Sequence, residues 1–185
     1  MFNKFLLILL VFISFLPDLR AGEKELIVKR LKDITNITFE FQQTTNTKKE
    51  TGICILVFDN KLSCNYHDST GKEVLINGKT LVVTKKKYNK IYFYPLSNSL
   101  FTRILNKNNL INLIQKTNYV LNDNIELVYV GKNKKKITII FDKNSFDFIG
   151  WKVKDQLQNE INFSLKIKSI NGEYNPKIFE IPKAN

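Results

Sequence analysis

The sequence predicts a mainly β domain with some α, a curved antiparallel sheet whose concave face is covered by helices. Three observations predict it. Short apolar stretches of strand length recur along the chain, roughly ten of them, with tight connections between. Asn77-Gly78 stands between two of them, a dipeptide that accepts the positive φ angles of a tight hairpin turn. In two places the apolar period changes from that of a strand to that of a helix, once at the front and once in the middle.

The elements follow in order. Residues 5–16 are apolar apart from Ser14, follow Lys4 and are broken by Pro17, with Ala21 as a small residue before Gly22. These are the marks of a secretory leader. A membrane anchor is the alternative, but the run falls short of the roughly 20 residues that span a bilayer. The expectation is a leader at 1–21, cleaved near Ala21, and one exported domain at 22–185. Residues 23–34 place Ile27, Leu31 and Ile34 on one face of a helix. Ile37, Phe39 and Phe41 alternate with polar residues as in a half-buried strand. Residues 53–58 and 62–66 form a hairpin around Asp59-Asn60-Lys61, residues 74–76 and 81–83 form the next, and the strand at 91–94 stops at Pro95.

The pattern then turns helical. Ser99 can cap a turn carrying Leu100, Phe101, Ile104 and Leu105, and Asn108 or Asn109 can cap a second carrying Leu110, Ile111, Leu113 and Ile114. Strands resume at 125–130, 137–142, 146–155, 161–170 and 178–181.

Cys54 and Cys64 lie on the two arms of one hairpin. A loop of three or five residues sets them directly opposite each other, close enough for a disulfide, and export to an oxidising compartment favours one. A two-residue loop displaces the pairing and leaves two buried thiols instead.

The net charge of +12 does not by itself imply nucleic acid. The lysine clumps, Lys85 to Lys87 and Lys132 with Lys134 to Lys136, could meet phosphates or an anionic membrane. They stand between strand patterns, where solvated loop or edge lysines are common, and export removes the chain from nucleic acid. Catalytic signatures are missing from the sequence. His67 is the single histidine, and Gly78-Lys79-Thr80 mimics the end of a phosphate loop whose leading glycine position holds Glu73. Glu40, Asp142, and Asp147 with Asp155 fall on three separate strands. The expectation is a protein that is not an enzyme and uses no cofactor or metal.

Several stretches, in order, resemble the periplasmic outer-membrane lipoprotein carrier family (LolA), whose relative, the outer-membrane lipoprotein receptor (LolB), shares its fold. They are Phe41-Gln42-Gln43, Gly52-Ile53-Cys54-Ile55-Leu56, Leu75-Ile76-Asn77-Gly78-Lys79-Thr80-Leu81, Tyr94-Pro95-Leu96 ahead of the helical insert, Asp155 with Asn159, and the close Asn175, Phe179, Pro182. The resemblance implies an unclosed antiparallel β-barrel with an N-terminal helix and a central helical lid over a hydrophobic cavity. It implies a monomeric periplasmic carrier that takes acylated lipoproteins from an inner-membrane releasing transporter to an outer-membrane acceptor. Leu100, Phe101, Ile104, Leu105, Leu110, Ile111, Leu113 and Ile114 become lid candidates. Phe39, Phe41, Tyr92, Tyr94, Trp151, Val153, Phe163 and Leu165 become candidates for the sheet wall. Ordinary core packing is the alternative for each, and alternation alone does not say which strand face looks inward.

The chain departs from that pattern in places. Phe58-Asp59 stands where the family carries Arg-Pro, so the arginine latch expected on the lid is missing or replaced. The chain ends three residues beyond Pro182, without the C-terminal extension of the best-known carriers and in that respect closer to the receptor, yet it lacks the receptor's lipid-acceptor cysteine. A carrier of another amphiphile, such as a glycolipid, therefore stays open beside the lipoprotein carrier.

Overall fold

Among the described residues, the apolar pattern of the chain produces one long antiparallel sheet with helices on one face. The computed structural model describes residues 22–58, 60–96, 104–131, 136–154 and 158–183. The expected leader, Asp59, Leu100, Phe101, Asp155, and Lys132 with Lys134 and Lys135 lie outside the described residues.

Helix α1 spans Glu23–Lys32. Glu23 and Glu25 in its first turn and Lys29, Arg30 and Lys32 in its last suit the helix dipole, while Ile27, Val28 and Leu31 are buried. Six strands follow as a meander: β1 Asn36–Thr45, β2 Lys48–Val57, β3 Lys61–Tyr66, β4 Lys72–Asn77, β5 Thr80–Lys85 and β6 Lys90–Pro95. Helix α2, Lys107–Lys116, comes next. A second meander completes the sheet: β7 Tyr119–Leu121, β8 Ile125–Val130, β9 Lys136–Phe141, β10 Phe148–Lys154 and β11 Glu160–Ile170.

Among the described residues the strand order is β6-β5-β4-β3-β2-β1-β11-β10-β9-β8-β7. Each meander pairs only with its own neighbours, and β1 against β11 is the single seam between the two. The sheet does not close: β6 and β7 are its free edges, and α2 lies on the connection that carries the chain from one edge to the other. The architecture is an unclosed half-barrel with helices, as expected. Register shifts between Thr38 and Phe39 and between Phe148 and Gly150 add local twist.

Several elements differ from the sequence expectation. Helix α1 stops at Lys32 rather than at residue 34. Strand β2 begins at Lys48, because the polar arm Lys48 to Thr51 pairs with β1 through its backbone and needs no apolar alternation. Helix α2 is capped by Asn106, whose side chain accepts from the Asn109 amide at 3.0 Å, and not by Asn108 or Asn109. Residues 178–181 do not form a strand. A 3-10 turn spans Pro176–Phe179 instead, started by Pro176 and by the Asn175 side chain accepting from the Lys177 amide at 3.0 Å.

Candidate functional site

The two faces of the sheet can be followed through its register, since directly opposed residues point to the same side. From β6 to β1 one face carries Tyr94, Leu81, Ile76, Leu62, Leu56 and Ile37 as a row. The neighbouring row carries Tyr92, Val83, Val74, Cys64, Cys54 and Phe39. On the other half the same face carries Leu165, Phe163, Trp151, Ile139 and Leu127. This is the concave face, and it is apolar from edge to edge.

The wall candidates Phe39, Phe41, Tyr92, Tyr94, Trp151, Val153, Phe163 and Leu165 all stand on it. Phe39, Phe41, Trp151, Phe163 and Leu165 are buried in one core. Tyr92 and Tyr94, near the free edge, are 37% and 48% exposed and lie outside that core. The described lid candidates Ile104, Leu105, Leu110, Leu113 and Ile114 are buried in the same core, with Ile111 packed against it. In this arrangement the helices are seated directly on the sheet.

An aromatic band crosses the concave face. Tyr66 meets Phe41 edge-on at 4.9 Å, Phe41 stacks on Phe163 at 5.0 Å, and Phe163 stacks on Trp151 at 3.8 Å. Trp151 continues to Phe148 at 5.9 Å, and Phe148 to Phe141 at 5.7 Å. Gly52 lies between Phe41 and Tyr66 on the intervening strand, and a Cβ there would stand 2.6 Å from the Phe41 ring. Its missing side chain lets the two rings meet across β2. Tyr66, Phe148 and Phe141 were not singled out in the sequence. Alternation could have found Tyr66, which shares a face with Leu62 and Cys64.

The helices are held mainly by apolar contact, with a few polar ties. Lys107 Nζ donates to the Lys32 carbonyl at 3.2 Å, and Lys24 Nζ to the Gln115 carbonyl at 3.3 Å, so α1 and α2 run side by side in opposite directions. The Tyr119 hydroxyl donates to Glu23 and holds that carboxyl below its usual range. At the position of the missing latch, Phe58 is buried in the core with Lys107 Nζ 5.8 Å from its ring. The Asn60 amide donates to the Leu105 carbonyl at 3.4 Å, tying the lid's first turn to the β2–β3 hairpin. That hairpin has a three-residue loop, Cys54 and Cys64 face each other directly, and a disulfide joins them.

At the far end of the concave face the rim is charged. Glu50 accepts from Lys48 and Lys72, each at 3.1 Å. Burial raises the Glu50 carboxyl, but the two ammonium groups outweigh it and leave it below the usual value. Lys72 Nζ also sits 3.8 Å above the Tyr66 ring. Burial, helped by the Glu50 and Asp68 charges, pushes the Tyr66 hydroxyl up to about 12.

Among the described residues, the carboxylates weighed as catalytic groups do not converge. Glu40 pairs with Lys168, Asp147 with Arg30, and Asp142 accepts from the Asn144 and Ser145 amides of its own turn. His67 is exposed.

No protein-family model and no curated protein matches the sequence. Among solved structures, an uncharacterized conserved protein from Thermus thermophilus is similar, with 9% identity over 85% of this chain and 93% of that one and a TM-score of 0.53. A LolA superfamily protein from Nitrosomonas europaea is 10% identical over 87% of this chain and 99% of that one, with a TM-score of 0.40. MucB in complex with MucA is 11% identical over 84% of this chain and 58% of that one, with a TM-score of 0.46. At 9% identity the likeness to the first of these is one of fold.

Proposed function

We propose that the protein is a periplasmic carrier without enzymatic activity, which shields the acyl chains of an amphiphilic cargo against the concave face of its sheet. Lipoproteins are the first cargo considered, received from an inner-membrane releasing transporter and passed by the monomer to an outer-membrane acceptor. The observation that carries the reading is a sheet face apolar from edge to edge, covered by helices that rest on it through apolar side chains.

An acyl chain of about fifteen methylenes exposes about 12 kcal/mol of hydrophobic free energy, at ~0.8 kcal/mol per CH₂. Such a cargo needs cover to cross water. With Leu110, Leu113 and Ile114 seated on the sheet, entry requires α2 to lift. Lifting exchanges one apolar contact for another, so acyl chains can replace the helix at little net cost while water cannot. The same balance permits release.

The test uses a hydrophobic fluorescent probe. The folded protein should take it up, an acylated lipoprotein should displace it, and the deacylated form should not. Leu113 borders a groove with Lys116 and Tyr129, so Leu113→Glu can turn its charge outward. That variant should stay folded and take up less probe. Failure of the wild type to bind either probe or acylated lipoprotein would remove the carrier reading.

A further inference from the structure

Between β4 and β6 the concave face changes character row by row. The row Ile76, Leu81, Tyr94 is followed by Val74, Val83, Tyr92, and then by Lys72, Lys85, Lys90. Successive rows are about 7 Å apart, so the surface passes from wholly apolar to wholly cationic within about 14 Å.

Lys72 lies directly opposite Lys85, and Lys85 directly opposite Lys90. Like charges in directly opposed positions destabilise an antiparallel pair. Glu50 compensates Lys72, and Glu73 takes the adjacent Lys86. Among the described residues no carboxylate forms an ion pair with Lys85 or Lys90. Lys85 and Lys90 stand in directly opposed positions beside tyrosines that leave 37% and 48% of their surface open.

We infer that this corner of the concave face binds an amphiphile with a phosphate-bearing headgroup. The phosphate sits between Lys85 and Lys90, and its chain runs over Val83 and Tyr92 toward Leu81 and Tyr94. A phosphate accepts charge-assisted hydrogen bonds from both ammonium groups and removes their mutual repulsion. The four apolar residues beyond cover the first methylenes. The inference rests on the carrier reading and narrows its cargo to anionic amphiphiles.

Calorimetric titration of the purified exported protein tests it with three probes below their micellar concentrations: dodecyl phosphate, dodecyl maltoside and inorganic phosphate. Dodecyl phosphate should bind about tenfold more tightly than dodecyl maltoside, and inorganic phosphate more weakly than either. The double variant Lys85→Gln, Lys90→Gln should bring dodecyl phosphate down to the level of dodecyl maltoside. Its melting temperature should hold or rise, because the like-charge pair is gone. Equal binding of the two amphiphiles, or a variant that still prefers the phosphate, overturns the headgroup site and leaves the carrier reading standing. Inorganic phosphate binding as tightly as dodecyl phosphate makes the lysines a free-anion site and overturns the amphiphile. If neither amphiphile binds, both readings fall together.

Discussion

Gly52 shows how much a single missing side chain can decide. A Cβ at this position would overlap the Asn65 carbonyl oxygen and stand 2.6 Å from the Phe41 ring. The carbonyl belongs to a strand and cannot swing away as a flexible side chain would. Gly52→Ala should therefore lose about 2–3 kcal/mol in urea unfolding. Gly78 has φ +61 and open space around its missing Cβ, so Gly78→Ala should lose only about 1 kcal/mol of backbone strain. The reverse order would mean that the Phe41–Tyr66 contact across β2 matters little. Tyr66 supplies a pH-dependent test. Its hydroxyl ionises at about 12 in the fold against an ordinary 10.0, so the folded chain keeps a proton that the unfolded chain releases. The stability tied to this group is present below pH 10 and is lost as pH rises toward 12. Tyr66→Phe should show a shallower alkaline fall in melting temperature than the wild type. At the acid end Glu50 acts in the opposite sense, contributing stability above the usual carboxylate range that disappears as pH falls through it.

Elements whose burial follows a period were legible in the sequence, and the others were not. The strand at residues 125–130 was placed to the residue, because Ile125 and Leu127 are fully buried on the concave face. The arm of β2 from Lys48 to Thr51 is not legible from an apolar period, since it is polar throughout and joins the sheet by backbone pairing and by the ion pairs of Glu50. Strand β7, Tyr119–Leu121, is too short to show a period. Residues 178–181 misled for a different reason. The C-terminal segment packs on the convex side of β3 and β4, where the Asn77 side chain donates to the Phe179 carbonyl at 2.9 Å. Phe179 is buried there with the Tyr174 ring 5.7 Å away, and one anchored ring needs no strand around it. Phe179→Ala should cost about 3 kcal/mol in chemical denaturation. Because this packing lies on the opposite face from the candidate site, the folded variant should still take up a hydrophobic probe like the wild type. A parallel loss of uptake would show that the two faces are coupled.

At the scale of the whole molecule, composition and order of features pointed to a covered half-barrel, but they could not say which strand face looked inward. That depends on pairing register across the sheet, where one residue of slip exchanges the faces. The cationic corner was hidden for the same reason: Lys72, Lys85 and Lys90 are scattered in sequence and meet only through β4, β5 and β6. The seam between β1 and β11 carries a consequence for how the chain reaches this structure. Within each meander, strands join neighbours a few residues away, so those hairpins can form early. Pairing Phe41 with Leu165 instead closes a loop on the order of 120 residues, at an entropic cost of about 4 kcal/mol beyond the constant term. Contacts so distant along the chain slow folding, and a transition state that includes them responds to their loss. Leu165→Ala should slow refolding in stopped-flow measurements. Ile76→Ala, within the local β4–β5 hairpin that forms before the seam, should also slow refolding and leave the unfolding rate nearly unchanged. If Leu165→Ala instead speeds unfolding and leaves refolding unchanged, the seam is still open when the barrier is crossed. If the seam does form at the barrier, the concave face becomes continuous from edge to edge only at that moment. Before it the chain is two separate half-sheets, each with an apolar face exposed to water and open to aggregation.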